Sequence, residues 1–377
     1  MTDTKMLDRI RDLVPDIAAR AVDTERERRV PDRTVRELTD AGVFRMLQPR
    51  EFGGAEASPV EFFAVVRALA AGCPSTGWVT SVFGTHAWQL ALFSAAAQHD
   101  VWGADPDSVI ATSYVPSGRV TRVPGGFELS GRWSFSSGCQ HAGWIMVGAL
   151  TTADDPAPGA HLTLLLPRAD CTIDEVWQAV GLAGTGSHDL VVDAAFVPAH
   201  RVHDAEQHNA EDGPDSELPA LYRLPFTSIL PGGVTAPLLG AAEGAYAAFL
   251  DRMRGRESGP GVAERVSRVA AEIDAGILQL EHNLAAALRC AEAGEEIPLD
   301  LRLRARRDQV RAVERAVDAT TALFRLAGGR AARSPDVLER HWRDVTTGSL
   351  HRANSAERPL INFGQGALGL PVADRIL

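Results

Sequence analysis

Cysteine is scarce and scattered in this sequence, and the first exclusions follow from that. Its 377 residues hold four, Cys73, Cys139, Cys171 and Cys290, with no C-x-x-C pair. A disulfide framework and a bound metal are therefore not expected, and a reducing cytoplasm is the simpler setting. No 18-residue apolar run occurs, so no segment is expected to span a membrane. The opening Met-Thr-Asp-Thr-Lys lacks the apolar core of a signal peptide. Positive charge is also short. The 38 Lys and Arg against 49 Asp and Glu leave a formal charge of −11 and a pI near 5.5, which argues against nucleic acid as the main partner. No G-x-G-x-x-G follows a strand-like segment, so direct oxidation of NAD(P)H by this chain is not expected.

What is present, 45% apolar and 23% charged residues, has the texture of an ordinary globular protein. Helices come first. Leu7, Ile10, Leu13, Val14, Ile17, Ala18 and Ala21 recur at helical spacing, with Pro15 a kink or a break. Helices are predicted over Asp32 to Ala41 and Pro59 to Ala71. A longer one runs from Thr76 to Ala97, started by Ser or Thr as its cap. From Asp107 the texture changes to short alternating segments separated by turn signals, as in a compact all-β domain. The acidic 204–219 stretch, broken by Gly213 and Pro214, reads as an exposed linker or mobile loop. Beyond it, Val262 to Ala293 and Leu301 to Leu326 keep the apolar spacing of long amphipathic helices in a four-helix-type bundle. The Arg-rich run Arg302 to Arg315 is then a helix surface rather than an anion site. The predicted organisation is α+β and multidomain: an N-terminal helical domain (1–106), a central β-domain (107–203), a linker (204–219) and a C-terminal helical bundle (220–377).

One stretch organises the rest: Gly131-Arg-Trp-Ser-Phe-Ser-Ser-Gly-Cys-Gln-His-Ala-Gly-Trp-Ile-Met-Val-Gly148. Trp133 and Phe135 continue a strand alternation on one face, with Ser134 and Ser136 on the other. Ser136-Ser137-Gly138 then breaks the strand with small residues that let a ligand approach the backbone. Trp144 to Val147 reads as the next strand of a hairpin. Two readings stand side by side here. A broad indole beside clustered hydroxyls suits a flat, polar-edged heterocycle. A sandwich hairpin whose Trp fills the core needs no ligand, and composition alone favours that second reading. His86 is similarly open. Among Trp78, Val79, Val82, Phe83, Trp88 and Leu92 it is either a core residue bonded to backbone or a buried imidazole facing a ligand.

Gly131-x-Trp-x-Phe-x-Ser-Gly-x-x-His-Ala-x-Trp resembles the flavin-contacting hairpin of the acyl-CoA dehydrogenase fold, in the form found in the two-component flavin-dependent monooxygenases called group D. Val180-Gly-Leu-Ala-Gly-Thr-Gly-Ser-His-Asp-Leu-Val-Val-Asp-Ala-Ala-Phe-Val-Pro198 is similar to that family's G-x-x-G-T-G-S-x-D-x-x-V-x-D-x-x-V-P segment. The resemblance covers nearly the whole chain. It implies an N-terminal helical domain, a central β-barrel or sandwich, and a C-terminal four-helix bundle that builds a homotetramer. It also implies an oxygenase component that receives reduced flavin (FMNH2 or FADH2) from a separate NAD(P)H:flavin reductase. With O2 as co-substrate, a C(4a)-hydroperoxyflavin would hydroxylate a small aromatic molecule, phenolic or polycyclic. Ser137 is implied to hydrogen-bond near flavin N(5), and His86 and His351 to orient the substrate or deprotonate a phenol. Cofactor contacts fall on Thr112, Ser113, Trp133, Phe135, Ser136, Ser137 and Gly138. The loop Ala111 to Gly118 lacks the Glu-Pro and Gly-Ser-Asp pattern of the dehydrogenases. His341, beside the R-x-x-R-D segment (Arg340 to Asp344), has no counterpart and is read as structural.

Acyl-CoA dehydrogenases take a substrate proton with a carboxylate from the C-terminal helical domain, in many members within a Tyr-Glu-Gly-Thr motif. The comparable stretch here, Val345-Thr-Thr-Gly-Ser-Leu-His351, contains no acid. That favours oxygen chemistry over α,β-desaturation, with Glu243 the one substitute base to weigh. The alternatives are an N-oxygenase of an amino sugar or amine on the same fold, an acyl-CoA dehydrogenase-like flavoprotein, and a non-catalytic flavin-binding scaffold.

Overall fold

The computed structural model describes residues 4–153, 155–204, 218–257 and 259–372. Six helices lead: α1 (Thr4–Ala19), α2 (Ala21–Glu27), α3 (Asp32–Asp40), α4 (Pro59–Gly72), α5 (Pro74–Leu90) and α6 (Ala95–Trp102). α1 is continuous through Pro15, with Ile10 and Ile17 buried on its inner face. The single helix predicted over Thr76 to Ala97 is two. Ser94 ends the continuity by capping α6, its Oγ accepting from the Ala97 N–H at 3.2 Å. α5 has no side-chain cap, so the expected Ser or Thr cap is absent; Pro74 starts it at a position whose missing N–H would have had no helical partner.

Seven strands follow: β1 (Ile110–Val123), β2 (Gly126–Ser136), β3 (Trp144–Thr151), β4 (His161–Pro167), β5 (Thr172–Asp174), β6 (His188–Pro198) and β7 (Val202–Asp204). They form one mixed sheet in the order β5-β6-β2-β1-β3-β4-β7. β2 and β3 are therefore not a hairpin, contrary to expectation. β1 and β6 already take the two edges of β2, so the chain crosses to the far side of β1, where β3 pairs in parallel.

The expected alternation also fails at Phe135. Its φ is +69°, the ladder shifts register between Trp133 and Ser136, and Phe135 is 66% exposed while Ser136 is buried. Trp133 fills the sheet's core. Its Nε1 donates to the Gly148 carbonyl at 2.8 Å, and a Cβ at Gly118 would lie 2.2 Å from the indole. For this residue the packing reading holds.

Helices then resume: α7 (Phe226–Met253), α8 (Pro260–Ala293), α9 (Leu299–Ala327), α10 (Val337–Ser349) and α11 (Glu357–Ala367), with a 3-10 turn at Arg352–Asn354 before the last. α7 packs on α4, α5, α9 and α10. Pro237 inside α7 has no N–H to give the Gly233 carbonyl, and Ser81 Oγ of α5 supplies the missing donor at 2.6 Å. One apolar core joins both helical regions, from Ile10, Phe62, Leu69 and Phe83 to Leu238, Ala241 and Val345. A separate core belongs to the sheet, among Val120, Leu129, Trp133, Leu164 and Leu190. Of the predicted linker, residues 205–217 lie outside the described residues. Among those described, no helix is long and apolar enough to cross a membrane.

Candidate active site

α5 is the spine of the site. Trp78 on it donates from Nε1 to Ser137 Oγ at 3.1 Å, and its ring meets His351 edge-on with centroids 6.0 Å apart. Ser137 sits just past the end of β2, where the chain must turn close against α5. Gly138 makes that turn with φ +75°, and a Cβ there would come within 2.8 Å of the Phe83 ring. Its N–H donates to the Thr185 carbonyl at 2.9 Å, tying the turn to the segment before β6. Three hydroxyl contacts run along that segment: Ser137 Oγ to Ser187 Oγ (2.7 Å), Ser187 Oγ to Thr185 Oγ1 (2.6 Å), and Thr185 Oγ1 to the Leu182 carbonyl (2.8 Å).

The R-x-x-R-D segment of α10 clamps the same loop, rather than forming only ion pairs along its own helix. Asp344 accepts from the Leu182 N–H, and Arg343 donates to the Val180 carbonyl while pairing with Glu25 and Glu339. Burial pushes the Asp344 carboxyl up to about 7, against the opposing pull of that N–H and of Arg343 and Arg340.

His351 lies beyond the end of α10, capping the 3-10 turn, and is not on a helix as expected. Its Nδ1 accepts from the Ala353 N–H at 3.2 Å. A neutral ring so bonded carries its proton on Nε2, so it can donate to a ligand oxygen but has no free lone pair to take a proton. The protein around the ring lowers its pKa, but the residue is exposed in the single chain, which argues that the lowering is modest.

His86 has the opposite polarity. It is buried on α5, about 12 Å further along the helix axis than Trp78. Its Nδ1 faces the Ile110 carbonyl at 3.1 Å and must donate there, leaving Nε2 as an acceptor. Its ring packs edge-on against Tyr114, which in turn meets Phe226 and donates its hydroxyl to Gln89. Burial pushes His86 down to about 4, so it is neutral across the physiological range.

The sign of the stability effect follows. The unfolded ring takes up a proton near pH 6.5 that the native ring refuses until about 4, so stability is lost as pH falls through that window. His86→Gln should lessen the slope of thermal unfolding temperature against pH in this window, which His141 and His341, also pushed down to about 4 by burial, keep from vanishing. An unchanged slope would mean that the native ring is hydrated.

The remaining predicted residues divide. Thr112 and Ser113 are buried on β1, and Ser113 Oγ donates to the Ser134 carbonyl at 2.8 Å. Ser136 Oγ is buried with no partner among the described residues. Thr112 Oγ1 is outside hydrogen-bonding geometry too, although it is near enough to Tyr114 to oppose the rise that burial gives that phenol's pKa. Trp133 and Phe135 do not join the site: the first lies in the sheet core and the second points to solvent against Trp177. His341 is buried between the carbonyls of Val337 (2.8 Å) and Ala71 (3.1 Å), as a structural residue would be. Glu243 faces Arg67 of α4 at 3.6 Å, which also pairs with Glu281 of α8, and that ion-pair cluster accounts for it.

Sequence reasoning passed over Trp78, Thr185, Ser187 and Asp344. In the sequence Trp78 is an apolar neighbour of His86, although an indole N–H inside a core needs a partner. The two hydroxyls flanking Gly186 in the G-T-G-S run were the visible signal for the chain that ends on Ser137.

Comparison with known proteins agrees with this architecture. The acyl-CoA dehydrogenase N-terminal domain family matches residues 2–105, and the acyl-CoA dehydrogenase C-terminal domain family matches residues 233–356. The flavin-dependent monooxygenase oxygenase subunit HsaA of Rhodococcus jostii (strain RHA1) is 42% identical over 383 residues, covering 98% of this chain and 100% of its own. The oxygenase component of an FADH(2)-dependent resorcinol hydroxylase from Rhizobium sp. (strain MTP-10005) is 34% identical, covering 92% of this chain and 90% of its own. The crystal structure of 3-HSA hydroxylase from Rhodococcus sp. RHA1 superposes with a TM-score of 0.95 at 41% identity, covering 99% of this chain and 98% of that one. With 42% identity sustained over 98% of the chain and a shared fold, this chain belongs to the flavin-dependent monooxygenases of the acyl-CoA dehydrogenase fold.

Proposed function

We propose that this chain is the oxygenase component of a two-component system, taking reduced flavin from a separate NAD(P)H:flavin reductase and using O2 to hydroxylate a small aromatic molecule, phenolic or polycyclic. The observation that carries this is the meeting of Ser137 and His351 on one indole, Trp78, with no carboxylate in the 345–351 stretch to serve as a dehydrogenase base. The relatives' names support it, one naming a resorcinol hydroxylase, its FADH(2) dependence and its status as an oxygenase component.

The residues present fit a flavin. Among the described residues Ser136 Oγ and Thr112 Oγ1 are buried hydroxyls without hydrogen-bond partners, the kind of group that the polar edge of an isoalloxazine satisfies. Thr112, Ser113, Ser136 and Ser137 would hold it, with Gly138 turning the chain without a side chain in the way. When bound, the reduced flavin supplies the electrons and the oxygen-transferring chemistry. The protein's part is to position and to exclude water. His351 donates from Nε2 to a substrate oxygen, His86 offers a lone pair from Nε2, and Trp78, Phe83, Tyr114 and Phe226 keep the surroundings apolar. Leu278 (65% exposed) and Leu299 on the outer faces of α8 and α9 suit burial between subunits of a homotetramer. The four cysteines are free thiols, in keeping with a reducing cytoplasm.

The test is anaerobic mixing with reduced flavin, then oxygen. A transient absorbance distinct from both reduced and oxidised flavin is expected, and direct reoxidation with no transient would overturn the reading. Ser137→Ala should shorten the transient roughly 10-fold, the order of one lost hydrogen bond in a dry site, and divert oxygen into hydrogen peroxide. A lifetime equal to wild type would place Ser137 away from the reacting atoms.

A further inference from the structure

The hydroxyl chain ending on Ser137 has a direction. It contains three oxygen–oxygen contacts of 2.6–2.8 Å: Ser137 to Ser187, Ser187 to Thr185, and Thr185 to the Leu182 carbonyl. Two oxygens so close repel unless a proton lies between them. Three hydroxyl protons are available for three contacts, and the terminal carbonyl brings none. Only one arrangement fills every contact: Thr185 donates to Leu182, Ser187 to Thr185, and Ser137 to Ser187. Trp78 Nε1, which can only donate, points at Ser137 Oγ from the other side, in agreement with that polarity. All three hydroxyl residues are buried, so water does not readily rewrite the pattern. Ser137 is left with one uncommitted lone pair and no proton to offer.

We propose that Thr185 and Ser187 are positioning residues that hold the Ser137 hydroxyl as a hydrogen-bond acceptor towards the ligand, and so set the site's preference for one redox state of flavin. The inference rests on reading this as the flavin site. Reduced flavin carries a hydrogen on N(5) and can donate to Ser137. Oxidised flavin presents a bare N(5) lone pair, which a hydroxyl whose proton is engaged elsewhere meets with repulsion. Removing Ser187 or Thr185 frees protons along the chain, lets Ser137 turn its own proton outward, and relieves the bias against oxidised flavin.

The experiment is equilibrium binding of FMN and of anaerobically reduced FMN to the intact protein, read as the ratio of the two dissociation constants and involving no turnover. Ser187→Ala and Thr185→Val should each lower the oxidised-to-reduced ratio roughly 5- to 10-fold, the scale of one hydrogen bond gained or lost. Thr185→Ser, which keeps the hydroxyl, should restore the wild-type ratio. A ratio unchanged in both variants, with native circular dichroism, would overturn the proposal. Wild-type protein provides a second arm in case a variant does not fold. Oxidised 5-deaza-FMN has C–H in place of N(5) and should bind more tightly than oxidised FMN by a similar factor; equal affinity would also overturn it. Should the wild type bind neither redox form of FMN, the flavin reading itself fails and the proposal falls with it. Binding with an indifferent ratio sinks the proposal alone.

Discussion

His351→Ala should cut hydroxylation roughly 100-fold or more while reduced flavin still binds and oxygen is still consumed, because a positioned donor to a developing negative charge is worth about that much. The ring is held for that role from two sides. Its Nδ1 accepts from the Ala353 N–H, which assigns the remaining proton to Nε2, and Trp78 packs against it. Without the donor, the substrate oxygen loses its anchor and oxygen leaves as hydrogen peroxide. The substitution also removes a cap from the 352–354 turn, at a cost of about 1 kcal/mol, so thermal unfolding should be followed alongside. His351→Asn both caps and donates, and should recover part of the lost product. Coupled hydroxylation by the Ala variant within threefold of wild type would mean the site is placed wrongly.

Trp133→Ala carries the largest expected effect on stability, a loss of about 3–5 kcal/mol, as for other large aromatic truncations in a core. The indole is fully buried, and Gly118 and Gly131 press so closely on it that a Cβ at either would clash. Removing it leaves a cavity in the sheet's core and takes a donor from the Gly148 carbonyl on β3. Trp133→Phe keeps much of the volume and should lose about 1–3 kcal/mol, from the missing indole N–H and the smaller ring. Denaturant midpoints for the two variants check this. If Trp133 faced the ligand instead, the Ala variant would keep its midpoint and lose flavin affinity.

That residue also shows where sequence reading stops. Trp133 and Phe135 sit two apart in a strand, and period-two alternation puts them on one face. The left-handed backbone at Phe135 breaks the period, and nothing in Ser-Phe-Ser announces it. The strand order was equally hidden. β1 lies between β2 and β3 because of pairings made across the sheet, and alternation says which face is buried but not which neighbour is bonded. The long helices were legible, since apolar spacing depends on local geometry: Val262 to Ala293 and Leu301 to Leu326 are each within two residues of the observed start and one of the observed end. His86, Ser137 and His351 came from resemblance rather than from the residues themselves. The polarity of the two imidazoles was beyond both, because it depends on which carbonyl or N–H the fold brings to each ring.

The separation of the two cores bears on how the chain is made. The sheet's core draws on residues 111 to 197, so it can condense soon after that segment leaves the ribosome. The helical core joins Ile10 and Phe62 to Leu238 and Val345, residues that do not exist when the first helices emerge. At about 5–20 residues per second, at least about 7 seconds separate the end of α5 from Leu238. The helical core is therefore incomplete through most of synthesis, while the sheet's own core can already close and offer its other face to Leu90 and Trp102 of the preceding helices.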